Sequence, residues 1–378
     1  MENLLQQFAR ACENPYRRLA DWKAASGRPV VGCFPMYVPE ELVHAAGALP
    51  VTILGSEEPI TAANDVLQSY VCAVVRSSFD LALRGELDFL DGMIFPDICD
   101  TVQCLADLWA VHLPKPFNHS FALPGKVNSP STRPYLLSQL GQIKAGLEQL
   151  TGRSIGDDAL WGSIAVYNEH RAKMRRLYDL RRRNPGLLGA RQMLAVVVSG
   201  MLMPKEDHNR LLDGLLAAAA GRSAPAEGRV RLLLAGNLCD EPEPTAMLDM
   251  IEEIGGVVVD DDLYTGRKYF SGDVKPDGDP LEALADHFLD FSPCPSRHDP
   301  AKDWPGYLID LAQQSAAQGV VLLTLKYCEV LAFDLPYVTS RLDAAGIPHF
   351  LIETDHEMAS LGQVRTRLQA FVEMLGGA

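Results

Sequence analysis

The residues of this sequence best suited to chemistry are its eight cysteines, and two of them stand five residues apart in ICDTVQCLADLW, residues 98–109. Such a pair could bind a metal, take part in redox chemistry or pack in the core. The CxxxxC spacing matches neither a ferredoxin run, a zinc knuckle nor a redox CxxC pair. Spacing alone therefore favours packed thiols over a metal site, although a site assembled from distant cysteines leaves no local spacing to detect.

The two cysteines of this stretch have different predicted surroundings. Cys99 follows MIFPDI, which predicts a strand, and Cys104 lies inside a predicted helix. The apolar stripe of that helix consists of Val102, Leu105, Ala106 and Trp109. Cys104 points away from the stripe, so we expect it on the outer face, as a bystander or in a contact between subunits.

The elements that would position these cysteines follow a repeated βαβα order. Apolar runs such as RPVVGCF alternate with helical patterns such as PEELVHAAGA, and the alternation begins again near Arg229. This order is typical of parallel sheets wrapped by helices. The sequence predicts an α/β fold with two similar domains, residues 1–130 and 229–378, and a helical segment between them, residues 131–228. The run AVVVSG in that segment is interpreted as part of a helix.

Several cysteines fall where such a fold binds ligands, at the carboxyl ends of strands. These are Cys33, Cys99, Cys239 and Cys328. Cys72 is expected in the first turn of a helix, where unpaired amides and the helix dipole stabilise an anion. Polar residues stand next to Cys72, Cys99 and Cys328, namely Arg76, Asp100, Lys326 and Glu329. A buried structural thiol is not expected to have such neighbours.

Composition narrows the class of protein. A length of 378 residues predicts two domains. The net charge of −15 argues against nucleic acid as a partner. No apolar run approaches the roughly 18 residues of a membrane span. Residues 1–20 predict an amphipathic surface helix rather than a secretory signal, so we expect a cytoplasmic protein with reduced thiols.

Other patterns give weaker signals. Neither GxGxxG after the first strand nor GxxxxGK[ST] occurs, so no dinucleotide site or phosphate loop is predicted. The basic run HRAKMRRLYDLRRR, residues 170–183, is interpreted as a solvated or subunit-facing helix surface in preference to a phosphate site. The triplet of Asp260, Asp261 and Asp262 is interpreted as a helix cap or solvated loop in preference to a cation site.

Five longer segments share a family resemblance. They are PEELVHAAGALPV, ICDTVQCLADLW, GNLCDEPEPTAMLDMIEEIGGVVVDDDLYTGRKYF, KYCEVLAFDLPYV and GIPHFLIETDHEMASLGQVRTRLQAFVEML. Over almost its whole length the chain resembles the iron-sulfur subunits shared by 2-hydroxyacyl-CoA dehydratases and ATP-dependent benzoyl-CoA reductase. Its length and the segments DTVQCLADLW and DDLYTGRKYF most resemble the smaller, gamma or C-type, subunit of benzoyl-CoA reductase.

The resemblance implies one 4Fe-4S cluster held by three cysteines, Cys72, Cys99 and Cys328, with one iron left open to another ligand. It also implies that Cys239 lies near the same cleft without binding iron. Relatives often have DLCTG where this chain has DLYTG, so Tyr264 stands in place of a cysteine and cannot be a ligand.

The implied activity is reduction of benzoyl-CoA to a cyclic dienoyl-CoA by two electrons and two protons. The implied partners are a larger homologous iron-sulfur subunit, activator subunits that alone carry ATP and Mg, and ferredoxin as the upstream donor. The alternatives are a subunit of a 2-hydroxyacyl-CoA dehydratase, which is a lyase, and an electron-transfer or scaffold subunit whose cluster never meets substrate.

Candidate roles for nearby side chains follow from this reaction. Arg76 and Lys326 would donate to the thioester carbonyl as charge develops on it. Glu41 and His44 would deliver protons from the start of a helix beside the first strand end. For Glu41, a structural role as partner of the helix dipole is an equal alternative.

Overall fold

The computed structural model describes residues 1–56, 58–236, 243–291, 293–356 and 361–377. Its strands are β1 (Val30–Cys33), β2 (Leu49–Thr52), β3 (Gly92–Asp97), β4 (Phe117–Ala122), β5 (Val230–Gly236), β6 (Gly256–Asp262), β7 (Gly319–Leu325) and β8 (His349–Thr354). Its helices are α1 (Glu2–Cys12), α2 (Pro15–Ser26), α3 (Glu40–Ala45), α4 (Ala73–Leu83), α5 (Asp100–His112), α6 (Thr132–Thr151), α7 (Asp157–Arg183), α8 (Ala190–Met201), α9 (Lys205–Ala219), α10 (Glu243–Glu253), α11 (Pro280–Leu289), α12 (Trp304–Gln314), α13 (Glu329–Ala344) and α14 (Leu361–Gly376). Two short 3-10 helices cover Ala62–Asp65 and Arg267–Phe270.

The strands form two parallel sheets of the same order, β2-β1-β3-β4 and β6-β5-β7-β8. Helices flank both sheets, so the predicted α/β fold with two similar sheet domains is confirmed. In each sheet the strand order reverses between the two central strands. Open α/β sheets bind ligands outside the carboxyl ends of the strands at such a reversal. Both halves therefore offer a ligand-binding edge, at β1 and β3 and at β5 and β7.

The edge between β5 and β7 requires a glycine. Gly236 ends β5 with a φ of +126°, and a Cβ atom there would lie 1.9 Å from the carbonyl oxygen of Leu323 in β7. Only glycine adopts this conformation without strain and allows so close an approach of two backbones.

The chain between the two sheets is helical where predicted. Helices α6 to α9 lie between β4 and β5, and the run AVVVSG lies within α8. The N-terminus differs from its prediction, because residues 1–20 form parts of two helices. Asn14 adopts a left-handed conformation with a φ of 46°, directly before Pro15 at the start of α2. Glu13, the C-cap of α1, is extended, so Glu13 and Asn14 together separate the two helices.

The apolar stripe of α5 faces the core as expected. Its four members are buried, whereas Cys104 is exposed. In the part of the chain that the structure describes, no helix is long and apolar enough to cross a membrane.

The interpretation of the acidic triplet is wrong. Its three residues lie within β6 and are buried, so they form neither a helix cap nor a solvated loop. Each carboxylate already has partners. Asp260 pairs with Arg182 and Arg267, Asp261 accepts from Tyr178 at 2.7 Å, and Asp262 pairs with Lys268 and accepts from Trp304 at 2.8 Å.

The interpretation of the basic run as a solvated or subunit-facing helix surface is wrong for two of its arginines, whereas Arg176 and Arg183 are exposed. The run forms the second half of α7, and its residues Arg171 and Arg181 are buried. Arg181 approaches Asp261 to 3.6 Å, and Arg182 pairs with Asp260. The end of the basic run therefore neutralises part of the acidic triplet inside the protein.

Candidate functional site

Three cysteines occupy the same structural position. Cys72, Cys99 and Cys328 are the N-cap residues of α4, α5 and α13. Cys99 and Cys328 follow β3 and β7, so they stand at the carboxyl ends of central strands in the two sheets, as predicted. The unpaired amide groups at helix N-termini and the helix dipole favour negatively charged sulfur at all three positions.

The carboxyl edges of the two sheets meet at these cysteines. His356, after β8, has its Nε2 atom 2.9 Å from the carbonyl oxygen of Glu58, after β2. Burial raises the pKa of the Cys99 thiol, backbone groups of the following turn oppose the shift, and the nearby Cys328 raises the pKa further. Helix α4 packs against α5, and all three cysteines contact the same apolar core. The two halves thus bring Cys99 and Cys328 together, with the helix of Cys72 alongside.

Three thiols at helix N-termini are donors of the kind that iron-sulfur clusters use. Within the described ranges, no group of three or more His, Cys, Asp and Glu side chains is arranged to hold one metal ion. In a 4Fe-4S cluster each thiolate binds a different iron, so the sulfurs surround a body rather than meet at a point. Three N-cap cysteines on two facing edges fit such a group.

The other strand-end cysteines differ. Cys33 ends β1 and is only 2% exposed, and burial, together with the charge of Glu40, raises the pKa of its thiol well above the ordinary value. It is a packed, protonated thiol. Cys239 lies outside the described residues.

Arg76 and Lys326 lie beside the N-cap cysteines. Arg76 is one turn into α4 from Cys72 and donates through Nη2 to Asn64 Oδ1 at 3.1 Å. Lys326, two residues before Cys328, has its Nζ 3.6 Å from Asp355 Oδ2. Both cationic side chains are half-buried, which leaves them able to reach a ligand at the edge.

Glu41 and His44 contact side chains of α7 and α9. Arg171 donates to the Glu41 carboxylate, while Ser163 Oγ donates to the Glu41 carbonyl at 2.8 Å. His44 has Nδ1 2.9 Å from Ser163 Oγ and Nε2 3.0 Å from Glu206 Oε1. Burial alone would raise the pKa of Glu41, but Arg171 and other groups outweigh it and leave the pKa lowered. A proton transfer through Glu41 would therefore require opening its ion pair.

A second buried network was not found from the sequence. The Glu40 carboxylate accepts from the Tyr269 hydroxyl, with both oxygens at 3.0 Å, and lies 3.2 Å from Lys205 Nζ. Lys205 Nζ also donates to the Tyr269 hydroxyl at 2.5 Å and to the Gly200 carbonyl at 2.6 Å. These residues come from distant parts of the chain. The adjacent acids of PEEL were the one local signal.

The chain is an α/β protein of two parallel sheets with thiols at the carboxyl edges of both. The chain belongs to the family described as 2-hydroxyglutaryl-CoA dehydratase, D-component, which matches residues 35–375. The family resemblance predicted from the sequence is confirmed.

Curated relatives match over nearly the whole of both chains. The C subunit of benzoyl-CoA reductase from Thauera aromatica is 31% identical over 96% of this chain and 97% of its own. The beta subunit of lactoyl-CoA dehydratase from Anaerotignum propionicum is 33% identical over 99% of each. The beta subunit of (R)-2-hydroxyglutaryl-CoA dehydratase from Acidaminococcus fermentans is 29% identical over 98% of this chain and 99% of its own. The relatives are thus subunits of acyl-CoA reductases and dehydratases, at similar identity.

Proposed function

We propose that this chain is the iron-sulfur subunit of an ATP-dependent benzoyl-CoA reductase, transferring low-potential electrons to the aromatic ring to give a cyclic dienoyl-CoA. The observation that supports it most is the placement of Cys72, Cys99 and Cys328 at helix N-termini on the facing edges of two sheets. The similarity to a benzoyl-CoA reductase subunit supports the choice of substrate.

The three cysteines would hold one 4Fe-4S cluster, which when bound supplies electrons of low potential and an iron without a protein thiolate. The chain's own residues would shield the cluster from water, contact the substrate and deliver protons. Partial burial against the apolar core keeps water from the thiols. Arg76 and Lys326 would offer N–H donors to an acyl-CoA carbonyl beside the edge. Glu41 and His44 remain the proposed proton-delivering pair, with Glu41 limited by its bond to Arg171.

The proposed partners follow from the division of labour in such an enzyme. The sequence contains no phosphate loop, so ATP and Mg would belong to separate activator subunits, with ferredoxin upstream. A larger homologous iron-sulfur subunit would complete the catalytic pair. The relatives are themselves named as single subunits of larger enzymes, which supports assembly of this chain with other chains.

The second candidate is a subunit of a 2-hydroxyacyl-CoA dehydratase. It is favoured by the 33% identity to a lactoyl-CoA dehydratase subunit. In that lyase the electron would return to the cluster after each turnover. A third candidate, an electron-transfer or scaffold subunit, keeps the cluster but not the contact with substrate.

The first experiment measures iron and acid-labile sulfide on the chain co-expressed with its partner and purified without oxygen. About four of each per chain is expected. The variants Cys72→Ser, Cys99→Ser and Cys328→Ser should each lose iron, whereas Cys104→Ser, on the exposed face of α5, should not. Iron-free protein that is folded and active would contradict the cluster.

The substrate is tested separately on the iron-loaded complex. Formation of a dienoyl-CoA from benzoyl-CoA supports the reductase. Formation of an enoyl-CoA from a 2-hydroxyacyl-CoA, without reduction of benzoyl-CoA, supports the dehydratase. Full turnover by an assembled Cys99→Ser variant would favour the third candidate over both.

A further inference from the structure

A small, partly open cavity lies at the carboxyl end of β1, where the strand order of the first sheet reverses. Its volume is about 50 Å³. Residues on its wall include Tyr37, Glu40, Tyr167, His170, Tyr264 and Tyr269. One wall is the loop after β1, where Met36 and Tyr37 adopt left-handed conformations with φ of 79° and 59°. Such conformations are uncommon for residues other than glycine and concentrate at functional sites.

The charges around this cavity cancel. Glu40 pairs with Lys205 at 3.2 Å, and Glu41 pairs with Arg171. Two carboxylates and two cations leave no net charge to attract a metal ion or an anion. The volume is about a third of the roughly 150 Å³ cavity that binds benzene, so an aromatic acyl group does not fit.

Two polar atoms on the wall need a partner. The Tyr167 hydroxyl and His170 Nε2 are buried and make no hydrogen bond of normal geometry to the described protein atoms, although Glu40 lies near Tyr167. The two residues are 4% and 2% exposed. An unsatisfied buried polar group costs about 1–3 kcal/mol. Buried water typically satisfies such groups with about three hydrogen bonds, and each water fills about 30 Å³ of liquid.

We propose that this cavity binds one or two ordered water molecules and that the water, Tyr167, Tyr269, Glu40 and Lys205 together form an internal proton-transfer site. The water would join Tyr167 and His170 to the cluster of Glu40, Lys205 and Tyr269. Those three are already linked by hydrogen bonds from Lys205 to Tyr269 at 2.5 Å and from Tyr269 to Glu40 at 3.0 Å.

The linked groups can pass a proton without changing the total charge of the site. A proton leaving the Lys205 ammonium breaks one N–H bond and forms an O–H bond to Tyr269, while the proton of Tyr269 moves to the Glu40 carboxylate. Lys205 becomes a neutral amine and Glu40 a neutral acid. Burial lowers the pKa of Lys205, with Glu40 acting in the opposite direction, which makes its ammonium a better donor. Resting on the proposed function, the neutral Glu40 acid would release one of the two protons that the ring reduction needs to the cavity water, and a proton taken up from bulk solvent through that water would restore the Lys205 ammonium.

The hydration is tested by a high-resolution crystal structure of the complex with its partner, prepared without oxygen and without acyl-CoA. We expect water density within about 3.2 Å of both the Tyr167 hydroxyl and His170 Nε2. The Tyr167→Phe variant should lose or displace that water. Tyr178→Phe is the matched control, because Tyr178 is a buried tyrosine of the same helix whose hydroxyl bonds Asp261 at 2.7 Å. A dry cavity in the unmodified chain would overturn the proposal.

The proton-transfer role is tested by turnover of the same variants. Tyr167→Phe should lower turnover roughly 10²-fold, at the lower end of what a positioned proton-transfer group contributes, while iron content stays unchanged. Tyr178→Phe should retain turnover. Equal turnover of the two variants would overturn this role. The crystal contains no substrate, so the hydration result does not depend on whether the proposed reaction is correct.

Discussion

Replacing Arg171 by methionine removes the cation that neutralises Glu41. The two side chains are 9% and 3% exposed, and Arg171 also donates to Asn168 Oδ1 at 3.0 Å. Breaking a buried pair by deleting one partner costs about 3–5 kcal/mol, because a charge remains buried without compensation. At about 1.4 kcal/mol per tenfold change, the folding equilibrium constant should fall roughly 10²- to 10⁴-fold.

The double variant Glu41→Leu with Arg171→Met isolates the cause. Replacement of both members of a buried pair by apolar residues is often neutral or stabilising, so most of the loss should be recovered. The pair of Lys144 and Glu148 is the control, since it joins residues four apart at 2.8 Å with side chains 30% and 28% exposed. Lys144→Met should cost no more than about 0.5 kcal/mol.

Urea unfolding followed by circular dichroism measures all these variants, with equal slopes required before midpoints are compared. A loss below about 1 kcal/mol for Arg171→Met, or a double variant that recovers none of the loss seen in Arg171→Met, would refute the reasoning. The pH dependence has a definite sign. The folded pKa of Glu41 is lowered from 4.5, so its contribution is complete above that pH and is lost as pH falls through the folded pKa. The stability gap between the wild type and Arg171→Met should narrow over that window.

Three further substitutions test other parts of the fold. Asp279→Ala removes the N-cap of α11, whose carboxylate accepts two backbone N–H bonds. The free energy of unfolding, measured by thermal unfolding, should fall by about 0.5–2 kcal/mol, whereas Asp279→Asn should keep most of that stability. Leu105→Ala, at a fully buried position of α5, should cost about 2–5 kcal/mol in urea, whereas the exposed neighbour Cys104→Ala should stay within about 0.5 kcal/mol. Asp260→Asn leaves two arginines without their buried carboxylate and should cost about 3–5 kcal/mol; an unchanged urea midpoint would contradict the pairing.

The fold was predictable because its signals are local. Alternation of apolar strands with helical patterns repeats over short windows, and a parallel sheet follows from that order. The same holds for Cys104, whose exposure follows from the helical period of the residues around it. The strand-end positions of Cys99 and Cys328 needed only the order of the elements and the rule that ligands gather at carboxyl ends.

The polar interior was not predictable because its partners are far apart in the chain. Arg182 and Asp260 are 78 residues apart, and Tyr269 and Glu40 are 229 residues apart. A charged run in a sequence usually marks a solvated face, since isolated buried charges are costly. Pairing between Arg182 and Asp260 offsets that cost, and neither stretch of sequence shows the position of the other. The buried network around Glu40 was missed for the same reason.

The two halves of the protein share a sheet order, yet they differ at one position that bears on the proposed cluster. Cys99 and Cys328 are equivalent, since each caps the helix that follows the third strand of its sheet order. Cys72 caps α4, the helix before β3, whereas the helix before β7 is α12, capped by Asp303. The Asp303 carboxylate already accepts from the Gly306 backbone N–H at 3.0 Å and pairs with Arg341 at 2.9 Å. The repeated fold therefore places a thiol at three of these four helix starts and a carboxylate, already paired, at the fourth.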